Sequence, residues 1–246
     1  DVPRWLQQSL VDALVVGVGY TPYSVPIGRW LELGRRFGVP IYPAVNVNIF
    51  ATWQKSYFKR QVYREATRAI SAFYWQQGAD GLYLFNLFCL EQQVSAGADR
   101  RELFSLLGEI GEPTLLEGKP QLYAIHAASD PEFYCQGSEP VWLPIPIGIE
   151  ERKLPIMLGP DAEAPGANAR LLAWVTGQES VERFWFRVNQ VLVPATRGNS
   201  NWIEAVVPSG VLLSGENALA VWCDKDLSQT GSTPILHRVF LEIGRG

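Results

Sequence analysis

The sequence predicts an α/β first part built on parallel strands, followed by an all-β second part with the texture of an antiparallel sandwich or jelly roll. Three observations carry this. Up to about residue 110, strand-length apolar runs alternate with amphipathic helical segments, the pattern of a parallel sheet with right-handed crossovers. From Pro113 onward, Pro113, Pro120, Pro131, Pro140, Pro144, Pro146 and Pro155 interrupt every helical period, which implies a connector. Beyond it, short strand-like runs recur between glycine turns at nearly even spacing.

Residues 11 to 20 are β-branched and small and read as a buried strand with Tyr20 at its C-terminal end. Ser24 and Pro26 then signal a helix carrying Ile27, Trp30, Leu31 and Leu33, which stops at Gly38 before Pro40. The run from Val39 to Asn48 repeats the unit. Ile41, Val45 and Val47 alternate with Tyr42, Ala44, Asn46 and Asn48, so the two asparagines share a face.

A helix is predicted over residues 56 to 77, with Val62, Ala66, Ile70 and Phe73 on the buried stripe and Lys59, Arg60, Arg64 and Arg68 largely opposite. Gly78 is its C-cap candidate. The third strand, Ala79 to Phe88, is almost wholly apolar and opens at Asn86 into a polar loop. Asp99-Arg100-Arg101-Glu102 has capping-box spacing ahead of Leu103, Leu106, Leu107 and Ile110, and reads as a third helix start. Three such units suit a doubly wound sheet or part of an eight-stranded barrel. In the second part, strands are expected at 153–158, 169–176, 183–193, 202–207, 217–223 and 235–243.

The bulk properties narrow the function. With 246 residues, the chain has room for one large domain or two ordinary ones. Hydrophobic residues make up 47% and charged residues 19%, with a net charge of −4, which argues against disorder and against a nucleic-acid surface. Cys89, Cys135 and Cys223 are odd in number and widely spaced, so neither a disulfide framework nor a metal knuckle is indicated. No run is long enough for a membrane span, and the start at Asp1-Val2-Pro3 has no basic and apolar leader, as a removed signal or a truncated start would also give. No strand is followed by Gly-x-Gly-x-x-Gly, which argues against a nucleotide-binding domain. His126 and His237 are too far apart in sequence to suggest a metal site or a Ser-His arrangement. The loop acids Asp161, Glu163, Asp224 and Asp226 lack EF-hand spacing.

The strand ending in Gly19-Tyr20, the helix with Trp30 and its glycine stop, Gly38-Val39-Pro40-Ile41-Tyr42-Pro43, and Gln77 to Asn86 together resemble the closing strands of family ten-like glycosyl hydrolase barrels. In the second half, Phe186-Arg187-Val188-Asn189, Trp202, Val207-Pro208 and Gly215-Glu216-Asn217 resemble the galactose-binding-type jelly rolls that accompany such barrels. The resemblance implies residues 1–130 as the C-terminal portion of a (β/α) TIM-type barrel and residues 131–246 as a β-sandwich. It also implies that the earlier barrel strands are absent from this sequence, so that either that missing part or an oligomeric partner would cover the open sheet.

A glycoside hydrolase needs two carboxyl groups at the C-terminal strand ends. In the enzymes resembled they lie on strands four and seven. If the visible strands are six to eight, the first is missing and the second falls near Asn46 or Asn48, where no acid stands. Hydrolysis of an O-glycosyl bond is then the work of the complete parent protein, and a non-catalytic carbohydrate-binding or structural module is the alternative. Glu91 is the one carboxylate close to these strand ends, as a catalytic acid or as a solvated loop residue.

Asn46, Asn48 and Asn86 are candidates for binding sugar hydroxyls, or for satisfying loop backbone groups. Tyr20 and Trp53 either stack on a sugar ring or close the barrel top. Trp185, with Arg187 and Asn189, alternates out of phase with Phe184, Phe186 and Val188, giving either an exposed carbohydrate-binding surface or a packing face. Trp202 and Trp222 are expected in the core or an interface. The partner implied is a poly- or oligosaccharide, with no nucleic acid and no cofactor or metal.

Overall fold

The computed structural model describes residues 1–17, 23–46, 53, 57–58, 62–85, 104–125, 143–177, 184–198, 201–223 and 233–245. They fall into two compact units, the first ending at Glu117 and the second starting at Gly118. The described chain is rich in sheet and has few helices.

The first unit contains α1 (Val2–Gln7), β1 (Leu14–Val16), α2 (Gly28–Phe37), β2 (Ile41–Asn46), α3 (Tyr63–Gln77), β3 (Tyr83–Phe85) and α4 (Leu107–Ile110). The strands make a parallel sheet in the order β1-β2-β3, with Leu14 opposite Ile41 and Ala44 opposite Tyr83. α2 and α3 stop where the sequence says they should. Gly38 and Gly78 take left-handed φ values of 69° and 88°, which a side chain would strain. Asp80 then anchors the start of the next strand pairing, its Oδ2 accepting the Ile41 N–H at 2.8 Å.

Right-handed crossovers between strands in sequential order place both helices on one face of the sheet. In keeping with that, Arg35 of α2 donates to the Gln77 carbonyl at the end of α3, and Gly34 abuts Ile41 and Val39. The opposite face carries Val15, Tyr42, Ala44 and Tyr83, with Val15 48% and Tyr83 45% exposed. Among the described residues this sheet is open and no barrel closes.

On α3 the stripe Val62, Ala66, Ile70 and Phe73 is buried, as periodicity requires. Arg68 departs from its expected place on the polar side. It is only 8% exposed, and its Nε donates to Glu109 Oε2 at 2.8 Å. The segment leading through α4 lies against this flank of α3, with the Trp75 indole N–H donating to the Ile110 carbonyl at 2.7 Å.

The second unit contains β4 (Gln121–Ala124), β5 (Ile145–Pro146), β6 (Arg152–Leu158), β7 (Ala167–Thr176), β8 (Phe184–Val188), β9 (Val191–Pro194), β10 (Thr196–Arg197), β11 (Trp202–Val207), β12 (Gly215–Cys223) and β13 (Ile235–Arg245). One antiparallel sheet has the order β10-β11-β7-β13-β4, with β5 also pairing β13; the other has the order β6-β12-β8-β9. Leu171, Ala173, Ile203, Ala205, Val239 and Leu241 line the buried face of the first, and Leu154, Ile156, Phe184, Phe186, Leu219 and Val221 that of the second. Two antiparallel sheets with apolar buried faces are compatible with a β-sandwich.

Two features differ from the sequence expectation. The run 183–193 is not one strand but a hairpin of β8 and β9, because Asn189 and Gln190 both take positive φ, 46° and 78°, as a two-residue primed turn requires. β4, which lies inside residues 1–130, belongs to the second unit, where it pairs with the far end of β13. It is locked there by buried polar contacts. Tyr123 Oη donates to Gln121 Oε1 and accepts the Gly159 N–H at 2.9 Å, while Gln121 Nε2 donates to Asp161 Oδ2 at 2.7 Å. Burial drives the Tyr123 phenol well above its ordinary pKa, so it stays a neutral donor.

Candidate functional site

The C-terminal ends of the parallel strands are where a (β/α) protein places its chemistry. The described ends are Val16, Asn46 and Phe85, and none is a carboxylate. Asn46 sits opposite Phe85 in register and is 3% exposed. Trp53 is 1% exposed, its ring centroid 5.4 Å from that of Tyr23. Tyr23 in turn donates from Oη to the Ala66 carbonyl of α3 at 3.3 Å. These aromatic rings spend their surface on α3 and on each other. Tyr20, Asn48, Asn86 and Glu91 lie outside the described residues.

An open cleft of about 670 Å³ lies between α1 and the end of α2, lined by Arg4, Gln7, Arg36 and Phe37 among others. Because α2 ends just before β2 begins, this cleft is at the N-terminal edge of the sheet, away from the strand ends where chemistry is expected.

The second unit presents a different kind of surface on the sheet β6-β12-β8-β9. Pleating sends Phe184, Phe186 and Val188 inward, where they are buried, and Trp185 and Arg187 outward, where both are partly exposed. The register then decides their neighbours. Trp185 stands opposite Trp222 on β12 and Pro194 on β9, and Arg187 stands opposite Ala220 and Leu192. Ala220 is also opposite Lys153 of β6. One row therefore reads Trp222, Trp185, Pro194, and the adjacent row reads Lys153, Ala220, Arg187, Leu192.

The side chains hold one another in place. The Arg187 guanidinium lies over the Trp222 ring, 4.9 Å from its centroid, and forms an ion pair with Glu151. This covers part of Trp222, and Trp185 stands beside it, likewise partly exposed. A partly exposed indole bordered by polar heads can take the C–H face of a sugar ring while those heads bind its hydroxyls.

Asn189 is not part of this surface. Its Nδ2 donates to the Val211 carbonyl at 2.9 Å and to Asn217 Oδ1 at 2.6 Å, and its Oδ1 accepts the Ala218 N–H at 2.9 Å. The amide is spent on holding the hairpin to β12. Trp222, Lys153 and Glu151 were not anticipated on this face. The outward phase of Trp222 was readable from the inward run Leu219, Val221, Cys223, but its pairing with Trp185 depends on a register between distant strands.

The remaining titratable groups serve the framework. His237 Nε2 lies 2.8 Å from Thr176 Oγ1 and its ring packs 4.8 Å from that of Trp174. Burial, and secondarily the Arg238 charge, hold its pKa below the ordinary value. Asp161 accepts the Gly118 N–H as well as Gln121, which uses its oxygens for structure. Among the described residues no three His, Cys, Asp or Glu side chains gather where they could hold a metal ion. Asp224, Asp226, His126, Cys89 and Cys135 lie outside those residues, and Cys223 is buried. Among the described residues no helix is long and apolar enough to cross a membrane. No protein-family model matches the chain, and no curated protein matches it.

Proposed function

We propose that this chain is a carbohydrate-binding module of glycoside hydrolase ancestry, which takes glycan on the outer face of the sheet β6-β12-β8-β9 through Trp185. The observation that carries the reading is the cross-strand pair Trp185 and Trp222, turned outward and partly exposed, with Arg187 laid over the second ring. The second unit is then a jelly roll of galactose-binding type. The first is the C-terminal portion of a (β/α) barrel, a reading supported by the sequential order β1-β2-β3 and by an apolar sheet face opposite the helices. In a doubly wound sheet, helices would cover both faces. Hydrolysis of O-glycosyl bonds belongs in this reading to a complete barrel whose carboxylates lie outside this sequence.

Binding to a glycan array tests the proposal, with Trp185→Ala beside the native chain. Loss of one stacked ring costs about 1–2 kcal/mol, roughly a ten-fold weakening. Unchanged binding by the variant would remove this face as the site. Turnover of a polysaccharide by the native chain would overturn the non-catalytic reading.

A further inference from the structure

We infer that the glycan recognised on this face carries a carboxylate, as a uronic acid unit. The inference rests on the carbohydrate-binding reading above and names the class of ligand. It comes from the row next to the tryptophans. Lys153 and Arg187 flank Ala220 on neighbouring strands, in register and on the same face. Strand spacing sets their backbones about 10 Å apart. Only a methyl group stands between them, and at 6% exposure it is covered by its neighbours, so the two cations lie above it on one stretch of the outer face.

The charges on the face are unequal. Arg187 is paired with Glu151 and stacked on Trp222, so its charge is already balanced. Glu216 stands farther along β12, opposite Met157 rather than beside the tryptophans. Lys153 is exposed and has no ion-pair partner among the described residues. Among the described residues, the strip beside Trp185 therefore carries one positive charge, that of Lys153, with no acidic partner.

A neutral sugar resting on Trp185 offers the Lys153 ammonium only a hydroxyl in exchange for water, with little net gain. A uronate in the same pose sets its carboxylate against Nζ and forms a charge-assisted hydrogen bond, while the free N–H groups of Arg187 reach the ring hydroxyls. Charge complementarity thus selects the acidic sugar. The same feature predicts that added salt weakens binding of the acid more than binding of a neutral analogue.

The test uses galacturonate, glucuronate and mannuronate oligomers, each beside its methyl ester, together with neutral oligosaccharides and measured by calorimetry. The native chain is expected to bind at least one acid roughly ten-fold more tightly than its ester. Lys153→Gln should bring that acid down to the level of the ester and leave the ester unchanged, while Trp185→Ala weakens both. Equal binding of acids and esters, or a preference that survives Lys153→Gln, would overturn the uronate inference while leaving the glycan reading intact. Absence of binding to every saccharide, neutral ones included, would overturn that reading and the inference with it.

Discussion

Replacing Tyr123 with Phe tests the polar lock that holds β4 in the second unit. The substitution keeps the ring and its packing, so the apolar burial term is nearly unchanged and the loss isolates one hydroxyl. Tyr123 Oη has two partners, the Gln121 amide oxygen and the Gly159 N–H, and Tyr123 and Gln121 are both buried. Each group left without a partner in the interior costs about 1–3 kcal/mol, against a net of about 1 kcal/mol for an ordinary hydrogen bond. The two orphaned groups together predict a loss of about 2–6 kcal/mol, a large share of the stability of a typical domain. For a chain of this size that lowers the melting midpoint by about 4–24 °C. Urea unfolding followed by far-ultraviolet circular dichroism measures it directly. The midpoint should fall while the slope stays constant, since the surface exposed on unfolding is the same. A loss below about 0.5 kcal/mol would mean that water replaces the hydroxyl and that the lock contributes little.

Two further substitutions probe the framework. His237 has a depressed pKa in the folded chain, so between that value and the ordinary 6.5 the unfolded chain binds more protons. Its contribution to stability is therefore full above about pH 6.5 and is lost as the pH falls. His237→Gln should flatten the melting midpoint between about pH 7 and pH 5, and an unchanged slope in thermal melts would exclude His237 as the group responsible. Gly34→Ala tests the approach of α2 to β2: a Cβ there would lie 2.6 Å from both Ile41 Cγ1 and the Val39 carbonyl oxygen. Helix propensity favours alanine by about 1 kcal/mol, but a backbone oxygen cannot step aside, and overpacking costs about 1–3 kcal/mol. A net loss is expected in denaturant midpoints, and a gain would show that α2 shifts freely.

What the sequence revealed and what it hid divide along local and non-local causes. The stops at Gly38 and Gly78 are local, because a left-handed residue is needed where a helix ends. The inward phase of Phe184, Phe186 and Val188 is local too, since pleating alone sets it. β4 is the opposite case: Gln121-Leu122-Tyr123-Ala124 has no clean alternation and becomes a strand by pairing with Ile243 and its neighbours, more than a hundred residues away. Arg68 shows the same limit on a helix, where period 3.6 identifies the apolar stripe but not the Glu109 that accompanies a cation into a half-buried flank. The turn Asn189-Gln190 was hidden because neither residue is glycine, and its positive φ values are secured by the amide contacts Asn189 makes to β12.

The same distinction decides which aromatic residue has surface left for a ligand. Trp53 and Trp185 are alike in the sequence, each an indole near polar residues, and the fold separates them by burial. At 1% exposure, Trp53 has given its whole ring to the protein, and stacking a sugar on it would first require breaking its contact with Tyr23 and the seat of Tyr23 on α3. Trp185 is partly exposed on the outer face, with Trp222 and Pro194 as its register partners on the two neighbouring strands. A ligand reaching Trp185 would therefore meet ring surface that is already exposed, whereas one at Trp53 would first have to open the packing between Tyr23 and α3.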